Sequence, residues 1–371
     1  MHNIHIAGTG IWYPEDKINN DELVHSYNSY VDLFNTKNKE AIENGDVIQM
    51  QQSSVEFIEK ASGIKSRHVI DKNGILDNQR MMPRVDNEHE DRLSIHAIAG
   101  VNAAKNALKQ AGISTEDIDA VIVGTSHAAR NYPAVAIEIQ NELQIDGYAY
   151  DMLVGCSSTT FAINNAYSDI ASGLANTILV INPEISTPFV NFTHRDKHFI
   201  FGDGCAATVI QKDSTSDKSF KILDRKLYTQ FSNNIRSNYS YLNRAAIDRK
   251  DNEDLLFHQN GRGVFKDVCP LVAKLITDQL ELNKIDPKEI SKFWLHQANG
   301  KMIRLITSKI LGTDDFDSSI TPMPIVDFGN LASVGSLFAF NLDNDLEAGQ
   351  KGVICSFGAG YSVCSIIVEK N

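Results

Sequence analysis

Apolar runs at strand spacing alternate along this chain with segments at helical spacing. Ile4 to Trp12 reads as a strand. Residues 14–55 are polar and partly helical, with Asn20-Asp21-Glu22-Leu23 as a helix start. Ile70 to Arg92 is polar, carries Gly74, Pro83 and the adjacent Met81 and Met82, and reads as a long ordered loop. Two readings stand for it: a tolerated insertion, or a lid or pocket wall. Ser94 to Ala111 reads as an amphipathic helix, and Ala120 to Gly124 as the strand after it. Ala149 to Val154 is apolar enough for a buried strand, and Ala162, Tyr167, Ile170 and Ala171 follow it at helical spacing. Val264 to Leu282 is a second amphipathic helix, followed by the strand Lys292 to Leu295. This alternation is that of an α/β protein.

The pattern repeats. Helix, turn and strand ending at Gly124 match helix, turn and strand ending before His296, 172 residues on. The strand–Gly155-Cys156–helix unit matches strand–Gly329-Asn330–helix at an offset of 174. The passage from Gly173 to Ile181 matches that from Gly349 to Phe357 at an offset of 176. Near-constant offsets over three elements imply two halves of one duplicated unit, residues 1–215 and 216–371. The polar stretch Asp213 to Lys218 marks the boundary. Paired about a pseudo-twofold axis, the halves bring Cys156, His296 and Asn330 towards one central pocket.

Composition narrows the class. The chain has 371 residues, 42% of them apolar, and a net charge of −12. That balance argues against general nucleic-acid binding, and no basic run with interleaved aromatics is present. No stretch of about 18 apolar residues exists, so no membrane span is expected. The N-terminus runs into a strand-like segment without the pattern of a secretory leader. The five cysteines, 156, 205, 269, 355 and 364, are widely spaced with no CxxC pair or metal-ligand spacing. A reducing cytoplasm is the expected location.

Cys156 stands at a strand-to-helix junction between small residues. A thiol on the first turn of a helix lies near its positive end, which favours the nucleophilic thiolate. An inert core cysteine is the other reading. His296 follows an apolar strand and Asn330 follows a glycine; alone, each is equally a hydrogen-bonding or capping residue. Together they place Cys, His and Asn at the C-terminal ends of expected strands, where open α/β sheets hold ligands.

Gly155-Cys156-Ser157, Phe201-Gly202-Asp203-Gly204-Cys205-Ala206-Ala207, His296-Gln297-Ala298-Asn299, Gly329-Asn330-Leu331-Ala332-Ser333 and Ser356-Phe357-Gly358-Ala359-Gly360, in this order, resemble the β-ketoacyl-ACP synthase III family of thiolase-fold condensing enzymes. The resemblance covers nearly the whole chain. It implies a five-layered αβαβα fold from two duplicated halves, working as a homodimer. It implies decarboxylative Claisen condensation of a Cys156-bound acyl group with a malonyl or β-ketoacyl thioester on acyl carrier protein, with acyl-CoA or acyl-ACP as donor and no metal or redox cofactor, in fatty-acid or polyketide-like biosynthesis. His296 and Asn330 would stabilise the enolate, and the N–H groups of Cys156 and Ala359 the later oxyanion.

The resemblance also implies contacts. Tyr132 aligns with an aromatic that reaches across the dimer and limits chain length. Arg195 aligns with an arginine that stacks on the adenine of CoA, and Phe57 with its aromatic partner. Lys301 aligns with a residue that meets the acidic carrier protein, and Arg304 and Lys309 follow on or near the same helix face. Ala61 stands where the family has a nucleotide-binding arginine, which puts CoA in question as the acyl donor. The longer segments 24–54 and 70–92 point to a specialised paralogue for longer or unusual acyl chains, including joining two acyl chains as in alkyl-resorcinol pathways. Acyl transfer without decarboxylation and a non-catalytic acyl-binding scaffold are further alternatives. A degradative thiolase is disfavoured: it needs a second cysteine where Ser356 stands, and Cys355 falls one residue early on the opposite strand face. A papain-like protease lacks its local cysteine signature here.

Overall fold

The structure is a computed structural model that describes residues 3–85, 92–237, 245, 247 and 256–371. Nine strands form its main sheet: β1 (Ile4–Trp12), β2 (Ala120–Thr125), β3 (Tyr148–Leu153), β4 (Thr177–Ile185), β5 (Asp203–Lys212), β6 (Phe220–Ser232), β7 (Ile290–Leu295), β8 (Lys351–Gly358) and β9 (Gly360–Lys370). Their order is β7-β8-β9-β6-β1-β5-β4-β2-β3. The N-terminal half contributes β3-β2-β4-β5-β1 and the C-terminal half β7-β8-β9-β6. Among the described residues, the two half-sheets pair where His5 and Ile6 of β1 meet Lys221 and Phe220 of β6. In each half the inner strands pair alike: β4 is parallel to β2 and antiparallel to β5, as β8 is parallel to β7 and antiparallel to β9. This is the duplication seen in the sequence offsets.

Three helical layers enclose the half-sheets. Helices α1 (Asn20–Lys37), α2 (Ile95–Ala111), α3 (Ser158–Ala171), α4 (Gly261–Leu282), α5 (Gly300–Leu311) and α6 (Gly335–Leu342) carry the argument. The central core packs Ala162, Ile163 and Ala166 of α3 and Phe338 and Phe340 of α6 between Ile122 of β2 and Ile366 of β9. A second core packs α2 on the outer face of the N-terminal half. A third packs α4 and α5 on the outer face of the C-terminal half. Both half-sheets are thus covered on both faces, which is why their inner strands read as continuous apolar runs.

The segments expected as insertions form a fourth, smaller core over the edge of this sandwich. Leu23, Tyr27 and Val31 of α1 pack with Ile58, Ile75 and Met81 against Phe199 and Phe201. Asn19 and Glu22 form a capping box that starts α1 at Asn20, where the sequence implies it. The 70–92 loop contains a helical turn at Lys72–Leu76, capped by Asp71, and residues 86–91 lie outside the described residues.

Two expectations are corrected. β3 is not a buried strand: it is the edge of the sheet and its residues are half-buried or exposed. Asn330 does not follow a strand. The expected strand is a helical turn, Ile325–Phe328, and Phe201 makes a lone bridge to Asn330. Pro322 and Pro324 lie just before it, and proline cannot donate to a strand ladder.

Close approach in β8 is tested by one residue. A Cβ at Gly352 would lie 2.1 Å from Cζ3 of the fully buried Trp294. Trp294 is fixed by Phe340 edge-on at 4.7 Å and by its indole N–H donating to the Asp343 carbonyl at 2.7 Å. Gly352→Ala is expected to destabilise the fold by about 1–3 kcal/mol, read from chemical denaturation.

Candidate active site

Cys156 sits in a tight turn between β3 and α3. Gly155 takes a φ of +56°, and Gly155–Ser157 form a single 3-10 turn that runs into α3. Side chains lock the turn: Ser158 Oγ donates to the carbonyls of Thr125 and Gly155, and Ser157 Oγ to that of Val154. From the other half, Gly358 presses on the cysteine. A Cβ there would lie 2.5 Å from Cys156 Cβ and 3.0 Å from Sγ. Only glycine permits this approach.

His296 follows β7. Its backbone N–H donates to Cys355 at 2.8 Å, and its ring stands edge-on to Phe357 at 5.2 Å. Burial pulls the imidazole down to about 4, so it is neutral at neutral pH. Its Nδ1 has no partner among the described residues, so no hydrogen bond fixes the tautomer. Gln297 faces away and donates to the carbonyls of Leu295 and Pro322, which pins the loop before Asn330.

Asn330 is held by its backbone. Its N–H donates to Ile200 at 2.8 Å, and its carbonyl accepts from Gly202 at 3.2 Å. Its Oδ1 accepts the Ala332 N–H at 2.9 Å. With the oxygen engaged, the side chain presents its NH2 as a donor.

These three residues line one cavity of ≈ 1040 Å³. The backbone N–H groups of Ala359 and Cys156 itself lie on the side of the sulfur and favour its ionised form. One electrostatic expectation is overturned. Burial pushes the Cys156 thiol up to about 12, and the Glu184 carboxylate adds to the rise. The helix N-terminus contributes only about 0.3–1 kcal/mol the other way, which desolvation outweighs. Burial therefore favours the thiol form of Cys156.

The remaining candidates divide. Phe57 and Ala61 line the cavity. The Arg195 guanidinium lies over the Phe57 ring at 3.7 Å and donates to Gln52 at 2.8 Å. The pair expected to hold an adenine therefore stacks on itself. Tyr132 is 84% exposed and does not line the cavity. Lys301 stands on the cavity rim, and Arg304 is exposed one turn further along α5. Lys309 lies two turns from the rim on another helix face, close enough to affect the Cys269 thiol. Cys355 is buried in the outer core with α4 and α5, and Ser356 bonds to Ser336, so neither enters the cavity. Sequence reasoning missed Lys197 and Arg262, which also line the cavity. Lys197 lies in the motif that drew attention to Arg195. Arg262 stands between two glycines at the start of α4 and gives no signal of its own.

The fold and site define a condensing enzyme of the thiolase fold. The profile described as 3-oxoacyl-[acyl-carrier-protein (ACP)] synthase III matches residues 150–230, and its C-terminal companion matches residues 280–370. The chain is 48% identical over 351 residues to a β-ketodecanoyl-[acyl-carrier-protein] synthase of Pseudomonas aeruginosa, covering 94% of this chain and all of that one. It is 27% identical to a β-ketoacyl-[acyl-carrier-protein] synthase III of Streptococcus gordonii, covering 89% of this chain and 95% of that one. In fold it is similar to the 3-oxoacyl-[acyl-carrier-protein] synthase III of Aquifex aeolicus, with a TM-score of 0.75 at 23% identity over the whole of both chains. It is similar too to the priming β-ketosynthase of the R1128 polyketide pathway, with a TM-score of 0.78 at 20% identity over 100% of this chain and 98% of that one. The chain belongs to the β-ketoacyl-ACP synthase III family, and is a condensing acyltransferase.

The thiol assignment predicts a pH profile. Below its pKa the thiolate fraction rises tenfold per pH unit, so Cys156 alkylation by iodoacetamide should climb about that steeply from pH 7 to 9 without a plateau. The other four cysteines are buried, so labelling should be confined to Cys156. A plateau below pH 8 would show that the helix terminus outweighs desolvation.

Proposed function

We propose that this enzyme extends a medium-chain acyl group, of about eight carbons, by condensation with malonyl-ACP. The observation that carries the mechanism is the convergence of Cys156, His296 and Asn330 on one cavity, with Ala359 N–H at the sulfur. The chain length follows from the relative named for β-ketodecanoyl-ACP: a ten-carbon β-keto product is an eight-carbon starter plus two carbons from malonate. Much of the cavity wall is aromatic, with Phe57, Phe199, Phe201, Phe257 and Phe265 all contributing.

In the first step Cys156 Sγ attacks the acyl thioester. Neutral His296 takes the thiol proton and returns it to the departing thiol, so one C–S bond forms as another breaks. In the second step the malonyl C–C bond breaks and CO2 leaves. The electron pair becomes an enolate whose oxygen faces an imidazole N–H and the Asn330 NH2. The enolate carbon then attacks the acyl carbonyl, whose oxyanion meets the N–H groups of Cys156 and Ala359. Collapse expels Cys156 and releases β-ketoacyl-ACP. Asn330 favours this route over simple acyl transfer, which needs no enolate donor.

Lys197, Arg262 and Lys301 line the same cavity and have no acidic partner within ion-pair distance among the described residues. A cationic rim on a chain of net charge −12 suits an acidic carrier protein. The half-buried edge strand β3, ending in exposed Leu153, is the element through which we propose two copies pair.

Intact-protein mass spectrometry against acyl-CoA and acyl-ACP thioesters of two to sixteen carbons tests the reading. A single adduct is expected, strongest for the eight-carbon donor and absent in Cys156→Ala. Preference for acetyl would sink the chain-length reading. Asn330→Ala should still load the acyl group but lose about 10²-fold in condensation.

A further inference from the structure

We propose that Glu184 is a positioning residue for the decarboxylating step, holding the turn that aims the Asn330 amide. The inference rests on the role given to Asn330 above. Glu184 lies on β4, fully buried, on the face that looks into the central layer. Its Oε1 accepts three donors. The Ser126 N–H, after β2, reaches it at 2.8 Å. The Ser333 N–H reaches it at 3.3 Å, and the Ser333 hydroxyl also donates to it. Thr159 of α3 adds a hydroxyl bond to Ser333 at 3.2 Å.

Ser333 follows Ala332, which takes a φ of +47°. A residue with a Cβ is disfavoured there and stays only when its surroundings hold it. In that conformation the Ala332 N–H meets Asn330 Oδ1. Glu184 thus fixes Ser333, Ser333 fixes the backbone of Ala332, and Ala332 fixes which way the Asn330 amide faces. Released from its anchor, Ala332 can relax to negative φ, and Asn330 loses the bond that distinguishes its oxygen from its nitrogen.

A buried acid is a costly choice for this place. Its Oε2 has no partner among the described residues, and burial pushes the carboxyl up to about 7. The titratable groups it affects are Cys156 and Cys205. A negative neighbour hinders thiolate formation, so the acid does nothing for the nucleophile. What it supplies is an acceptor for three converging donors from both halves.

The two half-reactions separate this role from general support. Acyl loading is read by intact mass, and decarboxylation by CO2 release from malonyl-ACP on the acylated enzyme, for Glu184→Ala, Glu184→Gln, Ser333→Ala and Asn330→Ala. Glu184→Ala should load within about threefold of wild type and decarboxylate about tenfold or more slowly. Glu184→Gln keeps the acceptor oxygen and should recover most of the loss; Ser333→Ala should fall between. Equal losses in both half-reactions, or wild-type decarboxylation by Glu184→Ala beside a failing Asn330→Ala, would overturn the proposal. Full decarboxylation by Asn330→Ala would instead overturn the role of Asn330 itself. Should Glu184→Ala not fold, Ser333→Ala decides by the same split, and unchanged decarboxylation in it overturns the proposal.

Discussion

The contact between Cys156 and Gly358 is the constraint on which the site depends. It joins the turn after β3 to the end of β8, so Cys156 of one half rests on the backbone of the other. No side chain fits between them. The half-sheets share only a short pairing between β1 and β6, so their alignment is carried by the central helical layer and by this contact. Because Ala359 follows Gly358, the same approach brings its N–H to the sulfur. Packing and chemistry are set by one distance of closest approach.

Much of this was legible in the sequence, for physical reasons. Strands covered on both faces read as apolar runs, so the bounds of β1, β2 and β7 are legible to within a residue or two. Constant offsets exposed the duplication, because two copies of one unit keep their element lengths. Cys156 and His296 were placed correctly at strand ends. Asn330 lines the same cavity as Cys156 and His296 but follows a helical turn: the offset implies a strand, and two prolines remove the donors a strand needs. β3 misled in another way, since an edge strand with Tyr148, Tyr150 and Met152 has the composition of a buried one.

What the sequence hid depends on distances in three dimensions. The charge state of Cys156 turns on desolvation against a helix terminus, and the depth of burial is not written in the local motif. Phe57 and Arg195 are separated by 138 positions, and nothing local shows that they stack on each other. Glu184 looks like an ordinary residue after Pro183 in an apolar strand. Its meaning comes from Ser126 and Ser333, which lie on opposite halves of the duplication.

The protonated thiol also changes how the enzyme stands up to its surroundings. Peroxides attack the thiolate, not the thiol, and oxidation beyond the sulfenic acid is not readily reversed. A cysteine that stays protonated in the wall of a cavity is therefore a poor target for oxidants. The burial that slows the ionisation of Cys156 thus also preserves it as a thiol.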